Sequence, residues 1–134
     1  MSEHEHPNVT LVRRGYQAFA EGDMAWMAEN VAADVVWHVP GDNIQSGDKV
    51  GLEATLAFFG QTMELTGGSF RIEIHDVVGG DEHVVGLITI SGSRPDGRTV
   101  SNRSAQVFHV RDGKAVEVWN YAEDQAALDA FFTD

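Results

Sequence analysis

Tyr16, His38 and Asn120 are the side chains through which this sequence could do chemistry, with Ser104 and Gln106 beside them. His38, in the run "VVWHVPG", is the obvious candidate base that titrates near neutral pH. Tyr16 has two readings. It aims a phenolic hydroxyl at a ligand oxygen, or it packs as a core aromatic whose hydroxyl finds a backbone partner. Gln106 and Asn120 are neutral amides that can donate hydrogen bonds to a developing oxyanion. A buried amide left without partners costs about 1–3 kcal/mol, so each needs a neighbour, water or ligand. Two amides and a serine on one apolar face point to a ligand with oxygen functions.

These residues sit in a chain of 134 residues and 14.6 kDa, which is the size of one domain. A chain of this length buries roughly two-thirds of its unfolded surface, enough for a core without covalent staples. With no cysteine, a disulfide framework, a thiol nucleophile and a thiolate metal site are all excluded. His4 and His6 could pick up metal adventitiously, but His38, His75, His83 and His109 show no ligand spacing. Neither a metal nor an organic cofactor is expected. The net charge of −12 argues against nucleic-acid and anionic-membrane partners. No apolar run approaches the about 18 residues needed to span a bilayer, and the polar start "MSEHEHPN" reads as no secretory signal. The expectation is a cytoplasmic domain over residues 8–132, preceded by a flexible terminus at 1–7.

The elements that must position the candidates follow from hydrophobic period. Val9, Val12, Tyr16 and Phe19 fall at helical spacing, with Asn8 as cap and Gly22 as stop. Asp23 can cap a second helix through "MAWMAENVA", with Trp26, Met27 and Val31 inward. A short strand, Val35–Val39, ends at Pro40-Gly41. The loop "GDNIQSGDKVG" leads to a third helix near Glu53–Leu65 whose apolar face is Leu56, Phe59 and Met63. From Ser69 the period becomes 2, and "GGDE", "PDG" and "RDG" separate the strands of an antiparallel meander. The closing "EDQAALDAFF" is a short helix or a docked tail. Three helices before such a sheet make an α+β plan.

Three-residue loops at Pro95-Asp96-Gly97 and Arg111-Asp112-Gly113 would set the register. They place Gly86 opposite Gln106, Ile88 opposite Ser104, Gln106 opposite Val118 and Ser104 opposite Asn120. One face then carries Val84, Gly86, Ile88, Ser104, Gln106, Phe108, Val110, Val116, Val118 and Asn120. The other carries Val107, His109, Trp119 and Tyr121, a mixed surface suited to a second copy of the chain or to cover by the C-terminal tail. Alternation along the short strand turns Trp37 and Val39 inward and His38 outward, unless a bulge near Pro40 rotates it.

The segments "YQAFAEGDMAWMAENVAADVVWHVPG", "SGDKVGLEATLAFF" and "VFHVRDGKAVEVWNY" resemble the SnoaL-like branch of the nuclear-transport-factor-2-like superfamily, over about residues 8–132. The resemblance implies a cone-shaped barrel: a strongly curved, mostly antiparallel sheet wrapped on three N-terminal helices, with an internal apolar pocket, in proteins that often pair through the sheet. It also shows departures. Where ketosteroid isomerases of this superfamily carry a base before the strand-ending proline, this chain has Val39; their donor acid matches Gln106; and their tyrosine falls at Gly15, one residue before Tyr16. Where SnoaL-type polyketide cyclases show His-Trp-Asp, this chain has Val118-Trp119-Asn120. Limonene-epoxide hydrolases use two acids bridged by arginine, and Arg103 here faces away without such a pair. Scytalone dehydratases pair histidines with tyrosines and an asparagine, which Tyr16 and Asn120 match only in part.

Two functions remain. One is a cofactor-free isomerase, cyclase or lyase acting on a cyclic, mostly apolar substrate, with Tyr16, His38 and Asn120 as candidate catalytic groups. The other is a non-catalytic ligand-binding or dimerisation module. Either would hold its small molecule among Tyr16, Trp37, Val39, Phe59, Met63, Ser104, Gln106, Phe108, Val118 and Asn120.

Overall fold

Helix α1 (Pro7–Glu21) begins at a proline, whose missing N–H costs nothing in a first helical turn. The computed structural model describes residues 5–134. Residues 1–4 of the flexible terminus expected at 1–7, His4 among them, therefore lie outside the described residues. Glu5, His6 and Pro7 are already engaged, since Glu5 accepts hydrogen bonds from Thr10 and Arg13. His6 rather than Asn8 caps the helix, its Nδ1 accepting from the Asn8 N–H at 3.1 Å. The Asn8 amide instead donates to the carbonyls of Gly80 and Asp81, tying the helix start to a sheet turn. Gly22, at φ 68°, supplies the left-handed residue that ends α1.

Asp23 caps α2 (Met24–Asn30) as its position suggests, accepting from the Trp26 N–H at 3.0 Å. Val31 does not continue that helix. The Asn30 side chain donates to the Trp26 carbonyl, and Val31 turns extended to open β1 (Val31–Val39). The strand is thus four residues longer at its start than the run from Val35 implied. Part of the Gly- and Asp-rich loop is also a strand, β2 (Gly47–Val50), paired antiparallel with the end of β1. Its one half-buried residue, Lys49, is a charged side chain lying over the Phe58 ring, so no hydrophobic period announces the strand.

Helix α3 (Leu52–Leu65) buries a different face from the one expected. Thr55, Phe59, Thr62 and, just past its end, Thr66 are 0, 6, 5 and 2 % exposed, while Leu56 and Met63 are only half-buried. Each threonine hydroxyl donates to the carbonyl four residues earlier, at 2.9, 3.0 and 2.8 Å. A polar side chain satisfied by its own helix can be buried, and it hides the inner face from an apolar-spacing argument.

The meander β3 (Arg71–Gly79), β4 (His83–Ser93), β5 (Thr99–Arg111) and β6 (Lys114–Ala122) follows. Gly86 faces Gln106 and Ile88 faces Ser104, as the Pro95–Gly97 loop implied. The last hairpin differs. Its turn has two residues, Asp112 (φ 52°) and Gly113 (φ 75°), both left-handed as a type I′ turn requires. Arg111 therefore pairs with Lys114 and Val110 with Ala115. A bulge then leaves Val116 unpaired, and beyond it Phe108 faces Val118 and Gln106 faces Asn120. The bulge restores the inward parity that a two-residue turn alone would have reversed, with Ala115 taking the place expected of Val116.

The six strands form one mixed sheet in the order β2-β1-β6-β5-β4-β3, with β1 parallel to β6. β2 and β3 do not meet, so the sheet is curled around α1, α2 and α3 and is not a closed barrel. α4 (Gln125–Phe131) is both helix and docked tail: Phe131 and Phe132, 2 and 6 % exposed, pack on Val100 and on half-buried Ile44, Leu65 and Leu128. Arg94 and Arg98 donate to the carbonyls of Phe131 and Thr133, holding the end of that helix.

Candidate small-molecule site

The curl of the sheet leaves a cavity of about 170 Å³ between its concave face and the helices. Aromatic rings make much of the wall. Trp37 meets Phe59 edge-on at 4.9 Å between centroids and Phe108 at 6.1 Å, and Phe19 meets Phe59 at 5.4 Å. These are the edge-to-face geometries that the ring quadrupoles favour. Of the residues proposed from the sequence, Tyr16, Trp37, Val39, Phe59, Ser104, Gln106, Phe108 and Asn120 line the cavity. Met63 and Val118 do not. Met63 is off the inner face of α3, and Val118, with no exposed surface, lies in the sheet between Trp37 and Phe108, whose rings meet over it.

One chain of hydrogen bonds crosses this wall. The Asn120 Nδ2 donates to the His38 carbonyl at 2.7 Å. The Gln106 Nε2 donates to Asn120 Oδ1 at 2.6 Å, and the Tyr16 hydroxyl donates to Gln106 Oε1 at 2.7 Å. Its direction has a physical cause. A backbone carbonyl can only accept, so Asn120 must turn its NH₂ toward His38 and its oxygen toward Gln106. Gln106 must then turn its oxygen toward Tyr16, which is left to donate. Burial raises the Tyr16 pKa above its ordinary value, so the phenol is protonated at neutral pH, in keeping with that role.

Gly86 makes room for the phenol. A Cβ there would collide with the Tyr16 hydroxyl oxygen and stand 3.0 Å from Cζ. The register places Gly86 directly opposite Gln106, so the space and the acceptor for the hydroxyl come from neighbouring strands. The expected core-packing and ligand-facing roles of Tyr16 coexist: the ring is 8 % exposed, and the residue borders the cavity.

His38 lies on the other face of the sheet. Its Nδ1 meets Asp48 at 2.7 Å, its Nε2 meets Glu117 at 2.6 Å, and its ring stacks on Trp119 at 5.6 Å. The Glu117 hydrogen bond is the largest cause of a raised pKa, with Asp48 adding to it. Both partners are carboxylates, which favour the protonated ring, and the ring is not part of the cavity wall. No bulge near Pro40 turns it inward, because β1 pairs regularly with β2 from Val36 to Val39. His38 serves the site through its backbone carbonyl only.

Among the described residues the wall contains no Asp, Glu, His, Lys or Arg; its titratable groups there are Tyr16 and, 57 % exposed, Tyr121. Tyr121 was expected on the outer face and borders the cavity as well. Gln45, Asn43 and Thr62 were missed. Gln45 is 3 % exposed in the wall, its Nε2 donating to Thr62 Oγ1 at 2.8 Å. Nothing in "GDNIQSGDKVG" marked it, although Thr55, Thr62 and Thr66 recur at helical spacing and could have shown which face of α3 is buried.

Tyr16→Phe tests the hydrogen-bond chain. Loss of the hydroxyl leaves Gln106 Oε1 without its donor and is expected to cost about 1–3 kcal/mol, read by urea denaturation. A variant as stable as the parent would show that the hydroxyl is not committed to Gln106.

The model of the SnoaL-like domain family matches residues 12–118. The protein Rv0034 of Mycobacterium tuberculosis is 29% identical over 126 residues, spanning 93% of this chain and 95% of its own. The solved structure of Bal32a, from a soil-derived mobile gene cassette, superposes with a TM-score of 0.91 at 32% identity, over 94% of this chain and 96% of that one. An NTF2-like protein from Burkholderia pseudomallei shares the fold with a TM-score of 0.84 at 24% identity, over 96% and 98% of the two chains. The curled sheet, the helices that fill it and a family match over most of the length agree, and the chain belongs to the SnoaL-like family, within the nuclear-transport-factor-2-like fold.

Proposed function

We propose that this chain binds a small, cyclic, mostly apolar molecule in the cavity and holds a carbonyl oxygen of that molecule with the amides of Gln106 and Asn120. One observation carries the reading. Each amide nitrogen has two N–H groups and commits one of them to the chain of hydrogen bonds, so each keeps a donor in a mostly apolar wall. The size fits a single ring, since a cavity of about 150 Å³ accepts benzene. Donors that hold a carbonyl would also hold an oxyanion, the element of isomerase, cyclase or lyase chemistry that this wall does supply. Among the described residues it offers no base to remove a proton: Val39 occupies the place of the isomerase base, and Tyr16 is a protonated phenol. Binding is therefore the reading we adopt over catalysis.

Acetophenone and ethylbenzene, alike in shape, make the test. Titration calorimetry is expected to show acetophenone bound about tenfold more tightly, the worth of roughly 1.4 kcal/mol of net hydrogen bonding. Gln106→Leu, checked for cooperative unfolding, is expected to abolish that preference. Equal affinity for the two compounds would contradict the reading. So would α-proton exchange of bound acetophenone into D₂O faster than in buffer, which would restore catalysis.

The convex face, by the same proposal, receives a second copy of the chain. Trp119 faces Val107 across the strands there, His109 stacks on His83 at 5.0 Å, and Leu87 is 42 % exposed. Apolar groups gathered on one face of a sheet suit a symmetric interface. Sedimentation velocity is expected to give a dimer for the parent and a monomer for Trp119→Lys. A monomeric parent at high micromolar concentration would contradict the pairing.

A further inference from the structure

The cavity has a second polar pole that the hydrogen-bond chain does not reach. Gln45 lies just before β2, 3 % exposed, and its side chain stands in the wall beside α3. Its amide orientation is fixed by the helix. The Thr62 hydroxyl donates its one proton to the Phe58 carbonyl at 3.0 Å, so toward Gln45 it can only accept. Gln45 must therefore present its NH₂ to Thr62, as it does at 2.8 Å. Its carbonyl oxygen, Oε1, is left buried with no partner among the described residues. Turning the amide over would bury an unpartnered NH₂ in place of Oε1 and would need the Thr62 hydroxyl to leave the Phe58 carbonyl. A buried acceptor without a donor is a cost that native structures rarely carry without a use.

The two poles differ in sign. Gln106 and Asn120 offer spare N–H donors, while Gln45 offers a bare acceptor. We infer that Gln45 Oε1 accepts a hydrogen bond from a hydroxyl or N–H group of the bound molecule, so that the ligand class is a ring-bearing ketone with a hydroxyl or amino substituent, with an acceptor at one position and a donor at another. This rests on the binding reading above and sharpens it. The aromatic rings of the wall grip the ring, and polar groups of opposite sign fix which way round it lies. A cyclic hydrocarbon, or a ketone lacking the donor, would leave Gln45 as it stands.

Acetophenone and its three ring-hydroxylated isomers test the inference by calorimetry, with affinities compared as ratios within each protein. In the parent, one hydroxy isomer is expected to bind at least tenfold more tightly than acetophenone. In Gln45→Met that ratio is expected to fall to about one. In case the variant unfolds, carbon NMR of the parent gives an independent readout: the Gln45 side-chain carbonyl resonance is expected to shift with the favoured isomer and not with acetophenone. If acetophenone binds but no isomer gains, or the gain survives in Gln45→Met, the role of Gln45 is overturned while the binding reading stands. If acetophenone itself fails to bind, the binding reading falls and takes this inference with it.

Discussion

The backbone carbonyl of His38 has one chemical option, to accept, and the polar wall of the cavity is ordered by that restriction. Asn120 must donate to it, Gln106 must donate to Asn120, and Tyr16 must donate to Gln106. No member can turn over without leaving two groups of the same kind facing each other. The result is a rigid set of polar atoms on strands that also hold the core, and rigidity at a binding wall limits the entropy lost when a ligand arrives.

That order depends on the irregular pairing of β5 with β6. A left-handed two-residue turn followed by a bulge at Val116 sets Gln106 against Asn120; a regular ladder from the same turn would place their side chains on opposite faces. The parallel pairing of β1 with β6 then brings the His38 carbonyl beside Asn120, and Gly86 on β4 opens the space for Tyr16. Three strands and one helix thus meet at a single chain of bonds. The same pairings put the His38 side chain on the convex face, between Asp48 and Glu117 and outside the cavity.

Much of this was legible in the sequence because the signals were periodic. The change from a period of 3.6 to one of 2 located the meander, and alternation alone sent Trp37 and Val39 inward and His38 outward. The amides on the inner face were also readable. Their contact was not, because the number of turn residues and the position of a bulge depend on packing as well as on the letters "RDGKAV". The face of α3 was misread for a related reason: threonines that bond their own helix behave as core residues while looking polar. Gln45 was hidden because a loop glutamine has no period, and β2 because an exposed edge strand needs none.

The claim at the centre of this account is that the spare N–H groups of Gln106 and Asn120 receive a ligand oxygen in an apolar cavity. A crystal structure with acetophenone bound tests it most directly. The account predicts the ring among Trp37, Phe59 and Phe108, with the carbonyl oxygen within hydrogen-bonding distance of the Gln106 or Asn120 amide nitrogen and the chain from Tyr16 to His38 intact. An acetophenone seated outside this cavity, or one within it whose oxygen avoids both amides, would contradict it.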